Sequence, residues 1–331
     1  MKKYKCLNKQ VFVIDEFQLV PIRYKDRYKI MKWRNDQIYH LRQKDILTKS
    51  KQDLYFGNVV SKQFDLEKPD QLLFSFLKKD ICLGYGGLVH LNWTERNAEV
   101  SFVMDTNQEA LNFVYLWNIF LILLKQVVFK YLSFHKIYTY AYDLRPKLYD
   151  ALSQSGFKFE GRLEDHCLVD SKFHDVLYHS CINPIESLRI RRVKKEDSIV
   201  LFEWSNDPLV RGNAFDSKKI DWDSHEKWFQ NKLLDNNCKI FIFENKQGHP
   251  VGQVRLDYLD KKWLIDYSID QFFRGLGLGK KIISKAINMI DKGTFMAMVK
   301  HKNQASIKTF LNLGFKNISQ EVSFKNFEFI K

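Results

Sequence analysis

Alternating apolar and polar runs mark candidate strands along the chain: "VPIRY" at 20–24, "CLGYGGLVHL" at 82–91, "EVSFVMD" at 99–105, "LRIRRV" at 188–193, "PVGQVRLDYL" at 250–259 and "LIDYSID" at 264–270. Between them, apolar residues fall at helical spacing. One such stretch, "KKIISKAINMI" at 280–290, puts Ile282, Ile283, Ala286 and Ile290 on a single face together with Leu278. A longer apolar run, "LNFVYLWNIFLILL" at 111–124, is interrupted by Asn112 and Asn118 and is shorter than the roughly 20 residues that span a bilayer. It is expected to be a buried helix.

The pattern is doubled. "MKWRND" at 31–36 returns as "FEWSND" at 202–207, and "DLYF" at 53–56 as "EKWF" at 226–229. The strand at 82–91 is matched at 250–259 and that at 99–105 at 264–270, while "SGFKFEG" at 155–161 is matched by "LGFKNIS" at 313–319. Five matches in one order, offset by about 160 to 170 residues, indicate a repeated unit. Each copy reads strand, helix, helix, three strands, helix, strand, helix, two strands. The expected fold class is therefore α/β in the broad sense (α+β): two tandem domains, each a mixed, mostly antiparallel sheet with helices on both faces. Pro184 interrupts the pattern in "INPIES", so the domains are expected at 1–182 and 183–331.

Composition narrows the chemistry only slightly. The formal net charge of +14 favours an anionic partner. No run of five basic residues and no zinc-finger or RNP motif is present, which argues against nucleic acid. Cys6, Cys82, Cys167, Cys181 and Cys238 are scattered without metal or redox spacing, so a metal site is not expected. The N-terminal sequence has lysines but no apolar signal core, and a soluble, cytoplasmic protein without a membrane span is expected.

The most specific signal is "IDQFFRGLGLGKKII" at 269–283. Gly275, Gly277 and Gly279 sit between a strand and a helix, with Arg274, Lys280 and Lys281 beside them. Glycines allow a sharp turn and close approach to the main chain, and the helix start presents free N–H groups to an anion. The spacing is neither a Walker loop nor Gly-x-Gly-x-x-Gly. It resembles the Arg/Gln-x-x-Gly-x-Gly/Ala pyrophosphate loop of the GNAT N-acetyltransferase superfamily, carried by Arg274, Gly277 and Gly279. Downstream, "NQASIKTFLNLGF" places Asn303, Ser306, Gly314 and Phe315 where that family has its Asn-x-x-Ser/Ala and Gly-Phe positions.

The resemblance implies acetyl-CoA as co-substrate, bound by Ser268, Ile269, Arg274, Gly275, Gly277, Gly279, Lys280, Asn303, Ser306 and Phe310. It also implies an oxyanion hole of main-chain N–H groups near Ser268 and Ile269, and direct attack by an amine. Phe310 stands where the family's usual proton-donating tyrosine lies, so thiolate protonation falls to Ser306, Tyr267 or water. Asp266 and His225 are the candidate bases. The segment 204–229 further resembles enzymes that acetylate nucleotide-linked amino sugars in pseudaminic- and legionaminic-type pathways. Trp204, Asn206, Arg211, His225, Trp228 and Arg255 are then the expected acceptor contacts, with surface-polysaccharide biosynthesis as the setting. A protein N-terminal acetyltransferase and a non-catalytic sugar-nucleotide-binding protein are the alternatives, and a homodimer is left open.

The first copy departs from this pattern. After Asp105 it reads "TNQEALNFVYLWNIFLILL", with no glycine and with Glu109 where phosphates would sit. Arg145 replaces the Asn and Leu152 the tyrosine, while Tyr149 lies one turn earlier. This copy is expected to keep the fold and lose or alter acetyl-CoA binding. Trp33, Arg34, Asn35 and Arg42 suggest that an acceptor-side pocket is retained.

Overall fold

The computed structural model describes residues 2–331. The chain divides into two compact units, Met1–Glu186 and Ser187–Lys331. In the first unit the strands are β1 (Phe12–Ile14), β2 (Phe17–Pro21), β3 (Leu72–Lys78), β4 (Ile81–Asn92), β5 (Asn97–Met104), β6 (Lys136–Tyr142), β7 (Lys158–Val169) and β8 (Lys172–Ile182). Its helices are α1 (Arg27–Asp36), α2 (Lys49–Tyr55), α3 (Ser61–Gln63), α4 (Thr106–Lys125) and α5 (Lys147–Gln154). The second unit has β9 (Arg189–Arg192), β10 (Cys238–Glu244), β11 (Pro250–Leu259), β12 (Lys262–Ile269), β13 (Thr294–Lys300), β14 (Lys316–Gln320) and β15 (Phe324–Ile330). Its helices are α6 (Ser198–Asn206), α7 (Pro208–Asn213), α8 (Trp222–Leu234), α9 (Leu278–Asn288) and α10 (Gln304–Asn312).

The first sheet runs β1-β2-β3-β4-β5-β6-β8-β7 and the second β14-β15-β13-β12-β11-β10-β9. Each is antiparallel except for one central parallel pair, β5 with β6 and β12 with β13. These are the mixed sheets that the periodicity predicts. Because strand side chains alternate between faces, Tyr267 and its neighbours Asp266 and Ser268 point to opposite sides of β12. Tyr267 meets Ser306 on α10, whereas Asp266 and Ser268 share a cavity with Leu201 and Ser205 on α6. Helices therefore cover both faces of the second sheet.

The apolar stripe on α9 explains that helix. Leu278, Ile282, Ile283, Ala286 and Ile287 are buried, while Lys280, Lys281 and Lys285 face outward. On α10, Ile307 and Phe310 point inward. Phe310 is among the largest fully enclosed side chains, with its ring against Phe315, Phe327 and Tyr267. In the first unit α4 is kinked at Asn112 and its C-terminal half is buried. The helical segment Thr106–Tyr131 is apolar and long enough to cross a membrane by composition, yet 72% of its most apolar window is buried inside the unit. Asn118, expected to interrupt an apolar span, is tied down by Ser155 Oγ and Gln154.

Phe310→Ala is expected to destabilise the second unit by about 3–5 kcal/mol, the range for an enclosed aromatic truncated to a cavity. Urea unfolding followed by tryptophan fluorescence checks this.

Candidate active site

The central parallel pair of the second sheet is short. β12 and β13 pair only at Lys262–Thr294, Trp263–Phe295 and Leu264–Met296. On its other side β12 stays paired with β11 up to Ile269. Residues 265–269 of β12 thus have no strand partner on the β13 side among the described residues, and the two strands open into a cleft. Asp270 N–H donates to Val251 on β11, and the Ile269 carbonyl accepts from Arg274 Nε at 3.1 Å on the other edge. Regular alternation therefore aims the Ile269 N–H into the cleft and the Ser268 N–H toward β11.

The glycine turn stands at the mouth of this cleft. Gly275 and Gly277 both adopt left-handed conformations, with φ of +80° and +78°. Gly277 is the N-cap of α9 and has no side-chain cap, so the first-turn N–H groups are left to other acceptors. A Cβ built on Gly277 would meet nothing within 4 Å, whereas one on Gly279 would come within 3.3 Å of Tyr267 and 3.6 Å of Thr309. Gly277 serves the turn, and Gly279 lets α9 lie close to β12 and α10. Lys280 is exposed at the helix start. Arg274 straps the turn, donating from Nη2 to Asp207 at 2.7 Å. Asp207 in turn caps α7 by accepting from the Leu209 and Val210 N–H groups.

Tyr267 projects into the space between α9 and α10. Its hydroxyl lies 2.9 Å from Ser306 Oγ. Burial pushes its pKa up, against the opposing hydrogen bonds with Ser306 and Thr309, so it stays protonated at neutral pH. On the opposite face, Asp266 is exposed and accepts from Gln253 Nε2 at 3.3 Å, with Arg255 Nη2 at 3.8 Å. Arg255 also donates to Asp257 at 2.7 Å and lies over the Trp228 ring.

The open parallel pair, the left-handed glycine at a helix N-terminus and the buried hydroxyl beside the opening all fall within one of two family matches. The Acetyltransferase (GNAT) domain description matches residues 187–316 and, through a second model, residues 19–177. The chain belongs to the GNAT acetyltransferases. No curated protein matches it. Among solved structures, a spermidine N-acetyltransferase from Vibrio cholerae, in complex with CoA and spermine, is 17% identical, with 44% of this chain and 96% of that one covered and a TM-score of 0.42. A domain from Methanocaldococcus jannaschii is 25% identical, with 44% and 99% covered and a TM-score of 0.40. Mutant forms of the Vibrio spermidine/spermine N-acetyltransferase are 17% identical, with 51% and 95% covered and a TM-score of 0.44. At these scores the likeness carries no argument about the acceptor.

GNAT acetyltransferases use acetyl-CoA, and the start of α9 in the second unit, with no side-chain cap, is suited to an anion. Several expected contacts are otherwise engaged. Phe310 is core and cannot touch a cofactor. Asn303 caps α10 by accepting from the Ser306 N–H at 3.1 Å. Trp204 is buried and donates to Asp270 at 2.8 Å, bracing the turn from below. Asn206 exchanges two hydrogen bonds with the Ile220 backbone, just as Asn35 does with Leu47 in the first unit. Arg211 Nη1 holds the Asp216 and Lys218 carbonyls and so shapes a loop.

His225 fails as a base on geometry. It is 2% exposed, packed among Phe202, Trp222, Trp228 and Phe229, and its Nε2 donates to the Ser198 carbonyl at 2.9 Å. Two residues on the acceptor side carried no signal in the single copy, Gln253 and Ser205. Both line a cavity of about 20 Å³ with Trp228, Arg255, Asp266 and Ser268. Comparing the matched copies position by position would have singled them out.

The first unit keeps the short parallel pair without the glycine turn. β5 and β6 pair only at Asn97–Lys136, Ala98–Ile137 and Glu99–Tyr138. At the start of α4, Asp105 caps the helix by accepting from the Asn107 N–H. Glu109 in the same first turn takes Arg145 Nη1 at 3.3 Å, both side chains being largely enclosed. A carboxylate and its own arginine thus occupy the start of the helix, and Tyr149 donates to Asp143 at 2.7 Å. Arg34, Asn35 and Arg42 are likewise committed, Arg34 to Tyr85 and Gln43, Asn35 to Leu47, and Arg42 to the buried Glu99. Trp33 is core.

Calorimetry on the full chain is expected to give one acetyl-CoA per chain; two would show that the first unit also binds. Gly277→Asp is expected to weaken acetyl-CoA binding at least 100-fold. It should unfold nothing, since the added side chain meets open space and the left-handed backbone costs roughly 1–2 kcal/mol.

Burial holds the His225 pKa below the ordinary histidine value of about 6.5. Unfolding lets the ring take a proton, so the stability this site contributes is full above about pH 6.5 and declines as pH falls below it. Urea titrations at pH 7.5 and 5.5 should show a smaller pH-dependent loss in His225→Gln than in the parent chain, while the shape of the kcat pH profile is unchanged.

Proposed function

We propose that the second unit acetylates the primary amine of a nucleotide-linked amino sugar, using acetyl-CoA, and that the first unit supports this single centre without binding the donor itself. The observation that carries the transferase reading is the parting of β12 from β13 after Leu264, beside the uncapped start of α9. For the acceptor, supporting features are the exposed Trp222, the half-buried Trp228 with Arg255 over its ring, and the net charge of +14. Flat apolar rings suit a sugar or base, and a basic surface suits a nucleotide. Arg211 and Arg255 are held by the protein, so diphosphate contacts fall to other cations than those the sequence suggests. The proposed setting is surface-glycan biosynthesis in the cytoplasm.

The chemistry follows from the two faces of β12. The first-turn N–H groups of α9, with Lys280 nearby, hold the pyrophosphate. The Ile269 N–H, aimed into the cleft, donates to the thioester oxygen as negative charge develops there. On the acceptor face, Asp266 takes a proton from the acceptor ammonium and passes it to water. The amine nitrogen lone pair then forms the C–N bond to the carbonyl carbon, and collapse of the tetrahedral adduct breaks the C–S bond. The adduct nitrogen loses its second proton to water, and the departing thiolate takes a proton from the Tyr267 hydroxyl, which Ser306 orients and water recharges. Tyr267 thus takes the place of the tyrosine that Phe310 replaces.

The reading is tested by following thiol release from acetyl-CoA with UDP-, GDP- and CMP-linked amino sugars beside polyamines and basic or acidic peptides. Turnover is expected with an amino sugar; turnover confined to peptides or polyamines would overturn the acceptor. With the best acceptor, Tyr267→Phe is expected to lower kcat about 10- to 100-fold while acetyl-CoA affinity holds within about twofold. An unchanged kcat would remove Tyr267 from the proton path.

A further inference from the structure

We infer that the acceptor nitrogen seats between the Gln253 side-chain carbonyl and the Asp266 carboxylate, and that this pair restricts the enzyme to primary amines. The inference rests on the second unit being the transferase centre. Gln253 is 7% exposed, and its Nε2 faces Asp266 at 3.3 Å. That contact fixes the amide: the reversed orientation would set its oxygen against a carboxylate. Oε1 is left buried with no hydrogen-bond donor from the protein. A buried amide oxygen in that state is costly, and the Gln253 side chain lines a cavity of about 20 Å³, room for one water or one amine nitrogen but not for a ring.

The first unit shows that the fold does not require this opening. The matched segments pair Ser205 with Arg34 and Gln253 with Tyr85. Register agrees, since Gln253 opposes Ser268 on β12 and Tyr85 opposes Val103 on β5. In the first unit, Arg34 Nη1 donates to the Tyr85 hydroxyl at 2.7 Å, and Tyr85 is 5% exposed. Two long side chains meet there and satisfy each other. The second unit places a serine and a glutamine at the same two positions, leaving a small space and an unmatched acceptor.

An unmatched acceptor beside a carboxylate calls for two donors on one small group. A neutral primary amine has two N–H bonds. With one given to Gln253 Oε1 and one to Asp266, its lone pair remains for the thioester carbon. A secondary amine or a hydroxyl has a single hydrogen to donate and leaves one of the two acceptors bare. Gln253 is therefore a specificity-determining residue that positions the nitrogen, and Ser205 provides its room.

The direct test needs no known acceptor. Methylammonium chloride is titrated into the full chain at constant ionic strength while the Gln253 side-chain amide is followed by NMR, with tetramethylammonium as the equally charged control lacking N–H. A saturable shift with methylammonium alone is expected, and Ser205→Arg, which fills the space and keeps Gln253, should abolish it. No shift, or an equal shift with tetramethylammonium, would overturn the seat.

The kinetic arm uses the best acceptor from the panel and its N-methyl derivative. The parent chain should prefer the primary amine at least 100-fold in kcat/KM, and Gln253→Met should narrow that ratio about 10-fold or more. An unchanged ratio would sink the assignment. Turnover restricted to polyamines or peptides would overturn the amino-sugar acceptor and leave the Gln253 seat standing. Acetylation of amino sugars without the methylammonium shift would do the reverse.

Discussion

The second unit is organised by one event in its sheet, the separation of β12 from β13 after three paired residues. A buried strand cannot part from its neighbour without leaving N–H and C=O groups that need partners. Arg274 answers part of that need by donating to the Ile269 carbonyl, and its other end is anchored on Asp207. Asp207 caps α7, while Trp204 reaches Asp270 from α6. The same strap that terminates the sheet therefore holds the glycine turn in place. The remaining N–H groups, in the cleft and at the start of α9, are what an acyl-CoA can use.

The duplication separates scaffold from chemistry within one chain. Features present in both units serve the fold: the short parallel pair, a buried tryptophan at matched positions (Trp33 and Trp204), and the asparagine that clamps a following loop through Leu47 or Ile220. Features confined to the second unit are the left-handed glycines of the turn before α9 and the shorter side chains of Ser205 and Gln253, where the first unit has Arg34 and Tyr85. In the first unit the corresponding volumes hold internal pairs, Glu109 with Arg145 and Arg34 with Tyr85. Charge and volume that a ligand would supply are supplied there by the chain. That is the physical sense in which the first unit keeps the architecture of a GNAT acetyltransferase while the start of its α4 is occupied by the chain's own groups.

Local pattern was a good guide where one residue type answers one local demand. Strand alternation, the apolar stripe of α9 and the glycines at positive φ were legible because each reflects backbone geometry or burial along a few residues. Roles that depend on what lies across the fold were not. His225, Asn206 and Arg211 look like polar ligand contacts in a linear reading, yet each satisfies a backbone group brought to it from 5 to 27 residues away. Phe310 shares a motif with cofactor-contacting residues, but its ring completes an aromatic core.

By itself, then, the sequence determined that two copies of a mixed sheet are present and that only the later copy can turn a strand into an uncapped helix. Periodicity and glycine conformation are properties of short segments. Tertiary structure decided which polar groups remain for chemistry. Gln253 and Asp266 come from different strands and Ser205 from a helix, and whether a side-chain oxygen is matched or left over depends on every neighbour that folding brings within hydrogen-bond reach.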